Sequence, residues 1–363
     1  MINQNRAQGM KVLRNKGFDK SKWMQLPRDV LVGHGVLGQL PRVCEDLAVG
    51  KSALVLTGRH TLGVAGKKVI AMLSRRYDTR TFLAEEISPA VIREAEKEAR
   101  KAEILVAVGG GKIIDTAKVA SFNTDRQFIS VPTAASHDGI ASASASVPTP
   151  EGNLSLQAHP PVAIVADTGI IASAPHRLLA SGCADIISNE SAVLDWELSH
   201  RLKGEPISEY ASTLSRMTAE GMIRNADLVK PNSEETAWMV VKALVASGVA
   251  MSIAGSSRPA SGGEHKFSHA LDRIAPGKGL HGEKCGIGTL ITLFLHGGDW
   301  RGAREALKKI GAPTSPAEIG IDDATAVEAL LLASTIRPDR FTILDTGITR
   351  ESAETLIRML SKD

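Results

Sequence analysis

The sequence is poor in cysteine and in aromatic residues. Its three cysteines, Cys44, Cys183 and Cys285, are odd in number and far apart. This spacing predicts neither a disulfide framework nor a CxxC metal site, and it fits a reducing compartment. Because only 4% of the residues are aromatic, aliphatic side chains and alanine must build the core. We therefore expect a cytoplasmic protein.

Long hydrophobic runs and a strong charge of one sign are also missing. No run of about eighteen apolar residues occurs, so no membrane span is expected. The polar, basic segment 1–20 lacks the apolar centre of a secretory signal. The net charge of +3 is small for 363 residues, which argues against nucleic acid or an anionic membrane as the main partner.

The length and composition are those of a soluble globular protein with two domains. Hydrophobic residues make up 43% of the chain and charged residues 23%. A chain of 363 residues is too long for one ordinary core. The pattern changes from alternating strands and helices to helices alone, which predicts a nucleotide-binding α/β domain at 1–170 and a helical metal- and substrate-binding domain at 171–363.

The first half alternates short aliphatic runs with helical patterns. Strands are predicted at 30–32, 53–57, 79–84, 104–108, 127–131 and 161–167. Helices are predicted from about 37, at 64–76, from Pro89 to about 101, and at 113–121. Continuous aliphatic strands separated by helices indicate a mainly parallel sheet covered on both faces. Residues 142–147 and 153–157 alternate small polar and apolar residues, which predicts a hairpin with its turn at 148–152.

The second half is predicted to be helical throughout. Its main helical patterns cover 176–200, 208–225, 234–253, 264–273 and 282–295. Because these helices are apolar, we expect the chain to form a homo-oligomer.

A run of three glycines follows the cleanest strand and begins a helix. Residues without a β-carbon let backbone amides approach phosphate oxygens at Gly109, Gly110 and Gly111. The run is neither GxGxxG nor a Walker loop, and a tight strand-to-helix turn is an equally good interpretation. A second stretch, 132–136, follows the next strand at the same sheet edge. Two such stretches at the carboxyl ends of strands are what a nucleotide crevice needs.

The strand 53–57 is followed by Gly58-Arg59-His60, with no acidic residue there. An acid at such a strand end usually binds the adenosine 2′-hydroxyl and repels a 2′-phosphate. With Arg59 in its place, we expect a pocket that accepts NADP as well as NAD.

Three side chains distant in sequence suggest a metal site. Asp185, His265 and His281 each lie in a polar or glycine-rich segment of the helical half. One carboxylate and two imidazoles can hold Zn²⁺ with one coordination position open. His265 and His269 also share a helix face. Two histidines in this arrangement are, however, more often surface or buried residues that bind no metal. Alternatively, Asp185 lies on the solvent-exposed face of an amphipathic helix.

Several neighbouring residues are expected to have structural roles and not to bind metal. Glu264, Glu283 and Lys284 are expected at solvated helix ends. Cys183 and Cys285 are expected to be small core residues, since nothing in the sequence points to a deprotonated thiol.

Together these motifs resemble a known superfamily. Segments 109–118, 132–142, 262–269 and 281–283, with Asp185, resemble the polyol dehydrogenases, a group that unites glycerol dehydrogenases, iron-activated alcohol dehydrogenases and dehydroquinate synthases. Within it, Ser136-His-Asp-Gly139 and Glu264-His-Lys-Phe-Ser-His269 most resemble the sn-glycerol-1-phosphate dehydrogenases. The resemblance implies a dehydroquinate synthase-like fold: an N-terminal Rossmann-like parallel-sheet domain and a C-terminal all-helical domain.

The resemblance also implies a set of site residues. Zn²⁺ would bind Asp185, His265 and His281, and the substrate would contact Asp138, Asp185 and His269. Asp138 would fix a substrate hydroxyl, and His269 would relay a proton. NAD(H) or NADP(H) would lie on Gly109, Gly110, Gly111, Lys112, Ile113, Ile114, Asp115, Thr133, Ala134, Ala135, Ser136 and Ser142.

The implied reaction is the zinc-dependent reduction of dihydroxyacetone phosphate to sn-glycerol 1-phosphate, the backbone of archaeal ether phospholipids. Arg258, Lys278 and Lys284 flank the metal histidines and are candidates for binding the substrate phosphate, with ordinary surface charge as the alternative. Two other functions stay open: a glycerol or small-polyol dehydrogenase, and a non-catalytic nucleotide-binding sensor. A dehydroquinate synthase is disfavoured because the motif after Pro132 differs.

Overall fold

A computed structural model of the chain describes residues 24–149 and 152–361. The segment 1–20 and the central residues of the predicted 148–152 turn, 150 and 151, therefore lie outside the described residues.

Six parallel strands form one sheet in the order β1-β8-β5-β4-β2-β3, and β6 and β7 form a separate antiparallel hairpin. The strands are β1 Asp29–Gly33, β2 Ser52–Thr57, β3 Asp78–Leu83, β4 Ile104–Gly109, β5 Gln127–Pro132, β6 Ser144–Thr149, β7 Gly152–Gln157 and β8 Ala163–Asp167. The central strand β4 is buried along its whole length, as expected for a sheet covered by helices on both faces. The predicted strands and hairpin are thus confirmed.

Helices surround the sheet and make up the regular structure of the described residues after Asp167. They are α1 Leu40–Asp46, α2 Arg59–Thr61, α3 Lys67–Leu73, α4 Pro89–Ala99, α5 Gly111–Thr124, α6 Thr168–Ala172, α7 His176–Lys203, α8 Glu209–Arg224, α9 Glu234–Ala254, α10 Gly263–Ile274, α11 His281–His296, α12 Trp300–Ile310, α13 Asp323–Ala333 and α14 Arg350–Ser361. The expected start signal of α4 is confirmed, because Ser88 Oγ accepts a hydrogen bond from the Val91 amide (3.3 Å).

The predicted helix 64–76 is only partly right. The helical stretch begins earlier, at Arg59, contains a π-helical turn at Leu62–Gly66, and ends at Leu73. A β-carbon on Gly66 would lie 3.1 Å from Thr57 Oγ1, so this glycine lets the turn approach β2 closely. The extra turn places Arg59 and His60 at the carboxyl end of β2.

Helix α9 meets the length and composition of a membrane span, which the sequence analysis did not anticipate. An 18-residue stretch of this 21-residue helix has a mean hydropathy of 1.7, and half of that stretch is buried. Helices α6, α7 and α8 pack against it. A core helix of a globular protein passes the same test, and the packing of α9 is of that kind.

One apolar cluster extends from the sheet into the helical half. It joins Leu56 and Leu105 of the strands to Ile187 of α7 and Leu244 of α9. The boundary between 170 and 171 therefore remains a prediction, although the strands do end at Asp167.

Candidate active site

A cleft of about 900 Å³ lies between the carboxyl ends of the strands and the helical half. Its wall on the sheet side includes the turn after β4, and its opposite wall includes α10 and the start of α11. Of the residues predicted to hold a nucleotide, the cleft is lined by Gly110, Gly111, Lys112, Ile113, Asp115, Ala134, Ser136 and Ser142. Gly109, Ile114, Thr133 and Ala135 are buried behind it.

The three glycines of the turn differ in the space that a side chain would have. A β-carbon on Gly109 would lie 2.6 Å from Ile113, and one on Gly111 would overlap the ring of His137. Gly110 has open space beside it. The turn therefore exposes backbone at the N-terminus of α5, where an anion would be stabilised.

A buried lysine fixes the polypeptide between β5 and β6. Lys118 Nζ donates to the carbonyl oxygens of Gly139 (2.8 Å) and Ser144 (2.6 Å) and pairs with Asp115 (3.1 Å). Asp115 Oδ2 also accepts from the amide of Ser146 (3.0 Å). Asp115 thus borders the cleft while its carboxylate binds protein groups.

The predicted metal residues come together from three helices. Asp185 lies within α7, His265 in the first turn of α10, and His281 at the first position of α11. The amide of Gly263 donates to Asp195 Oδ2 of α7 (2.6 Å), which anchors the start of α10. Glu283 Oε2 accepts from the amide of Leu280 (2.7 Å) and in the same way fixes the start of α11.

The distances between the donor atoms fit a tetrahedral cation. His281 Nε2 lies 3.2 Å from His265 Nε2 and 3.5 Å from Asp185 Oδ1. Two nitrogen ligands of zinc in tetrahedral geometry are about 3.3 Å apart. Asp185 is only 4% exposed, and its Oδ1 has no hydrogen-bond partner among the described residues. A buried carboxylate oxygen in this state is costly unless a cation or a proton neutralises it, and the set of one carboxylate and two imidazoles fits Zn²⁺.

A second carboxylate orients one of the histidines. Glu264 Oε1 lies 2.9 Å from His265 Nδ1. Burial raises the pKa of Glu264, but the hydrogen bond and charge of His265, together with backbone amides, outweigh burial and lower that pKa. The ionised carboxylate can only accept, so Nδ1 carries a proton, and Nε2, once deprotonated, can direct its lone pair at a cation.

The protonation of the donors depends on burial and on their charged neighbours. Burial, together with the nearby Asp138, raises the pKa of Asp185 to about 7. Burial and the neighbouring His265 lower the pKa of His281 well below its usual value. Burial also lowers the pKa of His265, but Cys285 and Glu264 outweigh it and raise that pKa. A cation bound here would displace protons, so its affinity depends on pH.

Two residues beside this site, Cys285 and His137, are not among the predicted site residues. Cys285 Sγ lies 3.7 Å from His281 Nε2 and within 4.8 Å of every other donor, and the residue is also fully buried as expected. Its position four residues after His281 on one helix was a usable signal. The ring of His137 lies between the glycine turn and the donors, 6.0 Å from the ring centre of His281.

Several expectations about charged residues are wrong. Glu264, Glu283 and Lys284 are buried, with exposed fractions of 0%, 3% and 5%. Glu283 pairs with Arg177 of α7, and Lys284 pairs with Asp272. The ends of α10 and α11 are therefore packed against neighbouring helices, where each charge has a partner.

Asp138 and His269, expected to act on the substrate, both border the same cleft. The amide of Asp138 donates to Asp185 Oδ2 (3.0 Å), and its carboxylate accepts from Ser247 Oγ (3.1 Å). Burial raises the pKa of Asp138. The ring of His269 lies 6.4 Å from those of His265 and His281, and burial lowers its pKa to about 3.

Comparison with known proteins identifies the family. Over 354 residues the chain is 67% identical to the glycerol-1-phosphate dehydrogenase of Methanoregula boonei, covering 98% of this chain and 99% of that relative. The relative from Methanoculleus marisnigri is 68% identical over 358 residues, with the same coverage. This chain belongs to the glycerol-1-phosphate dehydrogenase family. The names of both relatives specify NAD(P)+.

Wider comparisons agree with this family and confirm the expected fold class. Residues 31–175 match the family model described as iron-containing alcohol dehydrogenase. The crystal structure of a probable glycerol dehydrogenase from Sinorhizobium meliloti 1021 superposes with a TM-score of 0.76 at 25% identity, covering 94% of this chain and 98% of that one. For sulfoacetaldehyde reductase from Bifidobacterium kashiwanohense in complex with NAD+, the TM-score is 0.72 at 16% identity, with 94% and 100% covered.

Proposed function

We propose that this chain reduces dihydroxyacetone phosphate to sn-glycerol 1-phosphate with NADH or NADPH. The observation that carries the proposal is the convergence of Asp185, His265 and His281 in the cleft that the glycine turn also borders. High identity to glycerol-1-phosphate dehydrogenases supports the same reaction. The product is the glycerophosphate from which we expect archaeal ether phospholipids to be made.

Asp185, His265 and His281 would hold the zinc ion. When bound there, zinc supplies a Lewis acid that makes a carbonyl carbon more electrophilic and stabilises negative charge on its oxygen. The protein contributes the orientation of the donors, through Glu264 behind His265 and the Asp138 amide on Asp185.

Asp138 is suited to fixing a substrate hydroxyl. Its Oδ2 is held by Ser247, and Asp138 itself borders the cleft next to Asp185. A fixed acceptor at this point can orient the substrate for attack on one face of its carbonyl group.

His269 is proposed to relay the proton that the reduction adds to the carbonyl oxygen. With a pKa of about 3 the ring is neutral at working pH, so it relays through a neutral imidazole. Replacing His269 with alanine should lower kcat by about 100-fold while zinc stays near one ion per chain. Because the ring is uncharged from pH 5 to 8, it should add no inflection to the pH profile of kcat. Loss of zinc in this variant would make His269 a ligand and contradict the role.

Arg59 is proposed to accept the 2′-phosphate of NADPH. No acidic residue directly follows β2, but Arg59 forms an ion pair with Glu85, an acidic residue that follows β3. Replacing Arg59 with alanine should raise KM for NADPH by about 10-fold and leave KM for NADH nearly unchanged. Replacing Glu85 with glutamine frees Arg59 and should lower KM for NADPH. Equal changes for the two nucleotides in either variant would count against this role.

The proposed function is tested by nucleotide oxidation with dihydroxyacetone phosphate. We expect turnover that requires zinc and a product that a dehydrogenase specific for the sn-3 enantiomer does not oxidise. Unphosphorylated dihydroxyacetone should be a poor substrate. Equal or better turnover of dihydroxyacetone would identify a small-polyol dehydrogenase instead, and absence of bound metal and turnover would favour a nucleotide-binding sensor.

A homo-oligomer in the cytoplasm is also part of the proposal. Tyr210 and Met217 of α8 and Trp238 of α9 are exposed apolar residues on the helical half, and such residues are frequent in protein interfaces. Sedimentation velocity measures the state directly, and a monomer at micromolar concentration would contradict it.

A further inference from the structure

Five cationic side chains lie around the metal-binding end of the cleft, and three of them are neutralised. Lys266 pairs with Asp345 (2.7 Å), Arg258 with Glu205, and Lys284 with Asp272. The other two are Arg337 and Arg340, for which the described residues provide no carboxylate within ion-pair distance. Arg340 is buried and donates to the carbonyl oxygen of Ser261 (2.6 Å) and to Ser257 Oγ (3.0 Å). Neither guanidinium group therefore forms an ion pair with a described residue, although the more distant Asp339 acts electrostatically on both.

Arg337 borders the cleft and is held in an unusual backbone conformation. Its φ is +49°, in the left-handed region that a residue with a β-carbon rarely adopts. The turn that carries it is closed by the Arg340 amide, which donates to the Arg337 carbonyl oxygen (2.9 Å). Arg340 in turn ties this turn to the segment containing Ser257 and Ser261, which also borders the cleft. Such strain is typical of sites where the backbone must aim a side chain at a ligand.

The location of Arg337 is close to the proposed reaction. It borders the cleft together with His269 and Lys284. After burial and His265, the charge of Arg337 contributes to the lowered pKa of His269, as expected for neighbouring groups. A guanidinium group can bind two oxygens of a phosphate at once.

We propose that Arg337 binds the phosphate group of the substrate and that Arg340 positions it. This inference rests on the proposed function, because it names the residue that would distinguish a phosphorylated substrate from an unphosphorylated one. Two guanidinium groups without an ion pair can offset the negative charge of a phosphate monoester.

The cations suggested by sequence position are less suitable. Arg258 is buried against Glu205 and the carbonyl oxygen of Phe341. Lys284 borders the cleft, but its charge is balanced by Asp272. Lys278 is exposed and does not line the cleft, so it provides a matched control.

The test compares Arg337→Ala, Arg337→Lys and the control Lys278→Ala in the zinc-loaded protein. Arg337→Ala should raise KM for dihydroxyacetone phosphate by about 10- to 100-fold and change kcat less. It should leave kcat/KM for unphosphorylated dihydroxyacetone unchanged. Arg337→Lys should restore part of the affinity, because it returns the charge without the two-pronged geometry. Lys278→Ala should behave like the wild type.

Calorimetric titration with inorganic phosphate provides a readout independent of turnover. The wild type and Lys278→Ala should bind phosphate, and Arg337→Ala should lose this binding while keeping its zinc and its unfolding midpoint. An unchanged KM in Arg337→Ala, with an active wild type, would overturn the assignment alone. A wild type inactive with dihydroxyacetone phosphate would overturn the proposed function. In that case, loss of phosphate binding in Arg337→Ala would still support Arg337 as an anion site. If the wild type bound no phosphate, or if Arg337→Ala bound it as well as the wild type, the anion site would be overturned too.

Discussion

Replacing Asp185 with asparagine is expected to remove both bound zinc and activity. The substitution keeps the size of the side chain and an oxygen able to accept from the Asp138 amide, but it removes the charge that a cation needs. Changes to residues behind a ligand already cost about 10- to 100-fold in metal affinity, so losing a ligand should cost more. Elemental analysis and nucleotide oxidation measure the two effects, and His281→Ala should repeat them.

Glu190→Gln is the matched control for this experiment. Glu190 lies on the same helix, α7, is partly buried, and has an Oε2 without a hydrogen-bond partner among the described residues. Its conversion to an amide should leave the zinc content and activity near wild type. An Asp185→Asn protein that still holds one zinc ion per chain would contradict the metal assignment.

In the metal-free protein, Asp185→Asn should not lower the stability of the fold and should raise it at alkaline pH. Burial raises the pKa of Asp185 to about 7, so its charged form destabilises the fold, and this loss grows as pH rises from the unfolded value of about 4 to 7. At pH 8, chelator-treated Asp185→Asn should therefore resist urea at least as well as chelator-treated wild type. Added zinc should stabilise only the wild type.

Placing a methyl group on Gly282 is expected to disrupt the site without touching a donor atom. A β-carbon there would overlap the backbone carbonyl oxygen of Ser181, so α11 could no longer approach α7. Overpacking typically costs about 1–3 kcal/mol. We expect the upper end or more for Gly282→Ala, since the clash is with helix backbone. The neighbouring His281 would move away from Asp185, and zinc affinity should fall with stability.

Gly221→Ala provides the comparison within another helix. Apart from the adjacent residues and the backbone of α8 itself, no atom of the described structure lies within 4 Å of a β-carbon at this position. Alanine there should stabilise the protein by about 0.5–1 kcal/mol. Urea unfolding measures both variants, and a Gly282→Ala protein as stable as wild type with full zinc would contradict the close-approach argument.

The sheet was predictable from the sequence because its strands are continuous aliphatic runs. Strand β4, for example, contains Ile104 to Val108, and its burial on both faces leaves little ambiguity. The π-helical turn after β2 was not predictable, since the close approach of Gly66 to Thr57 is a tertiary contact. Periodicity reports which face of a helix is apolar, not how near its neighbours lie.

The site was predictable only in part, for a related reason. The sequence motifs brought forward Asp185, His265 and His281, whose donor atoms the structure places together. The burial of Glu264 depends on packing from α7, where Ser191 also donates to it (3.1 Å). Arg337 lies more than fifty residues from the metal histidines, and no local pattern marks its turn as part of a cleft.

The contacts of Lys118 have a mechanical consequence. Its ammonium group joins α5, whose first residues form the glycine turn, to the carbonyl oxygens on both sides of Ser142. Asp138, which orients Asp185, lies next to one of these carbonyls. A nucleotide bound at the turn, as proposed, would therefore rest on the same buried lysine that holds the segment beside Asp185. Coenzyme binding and alignment of the reducible carbonyl would then depend on one shared support.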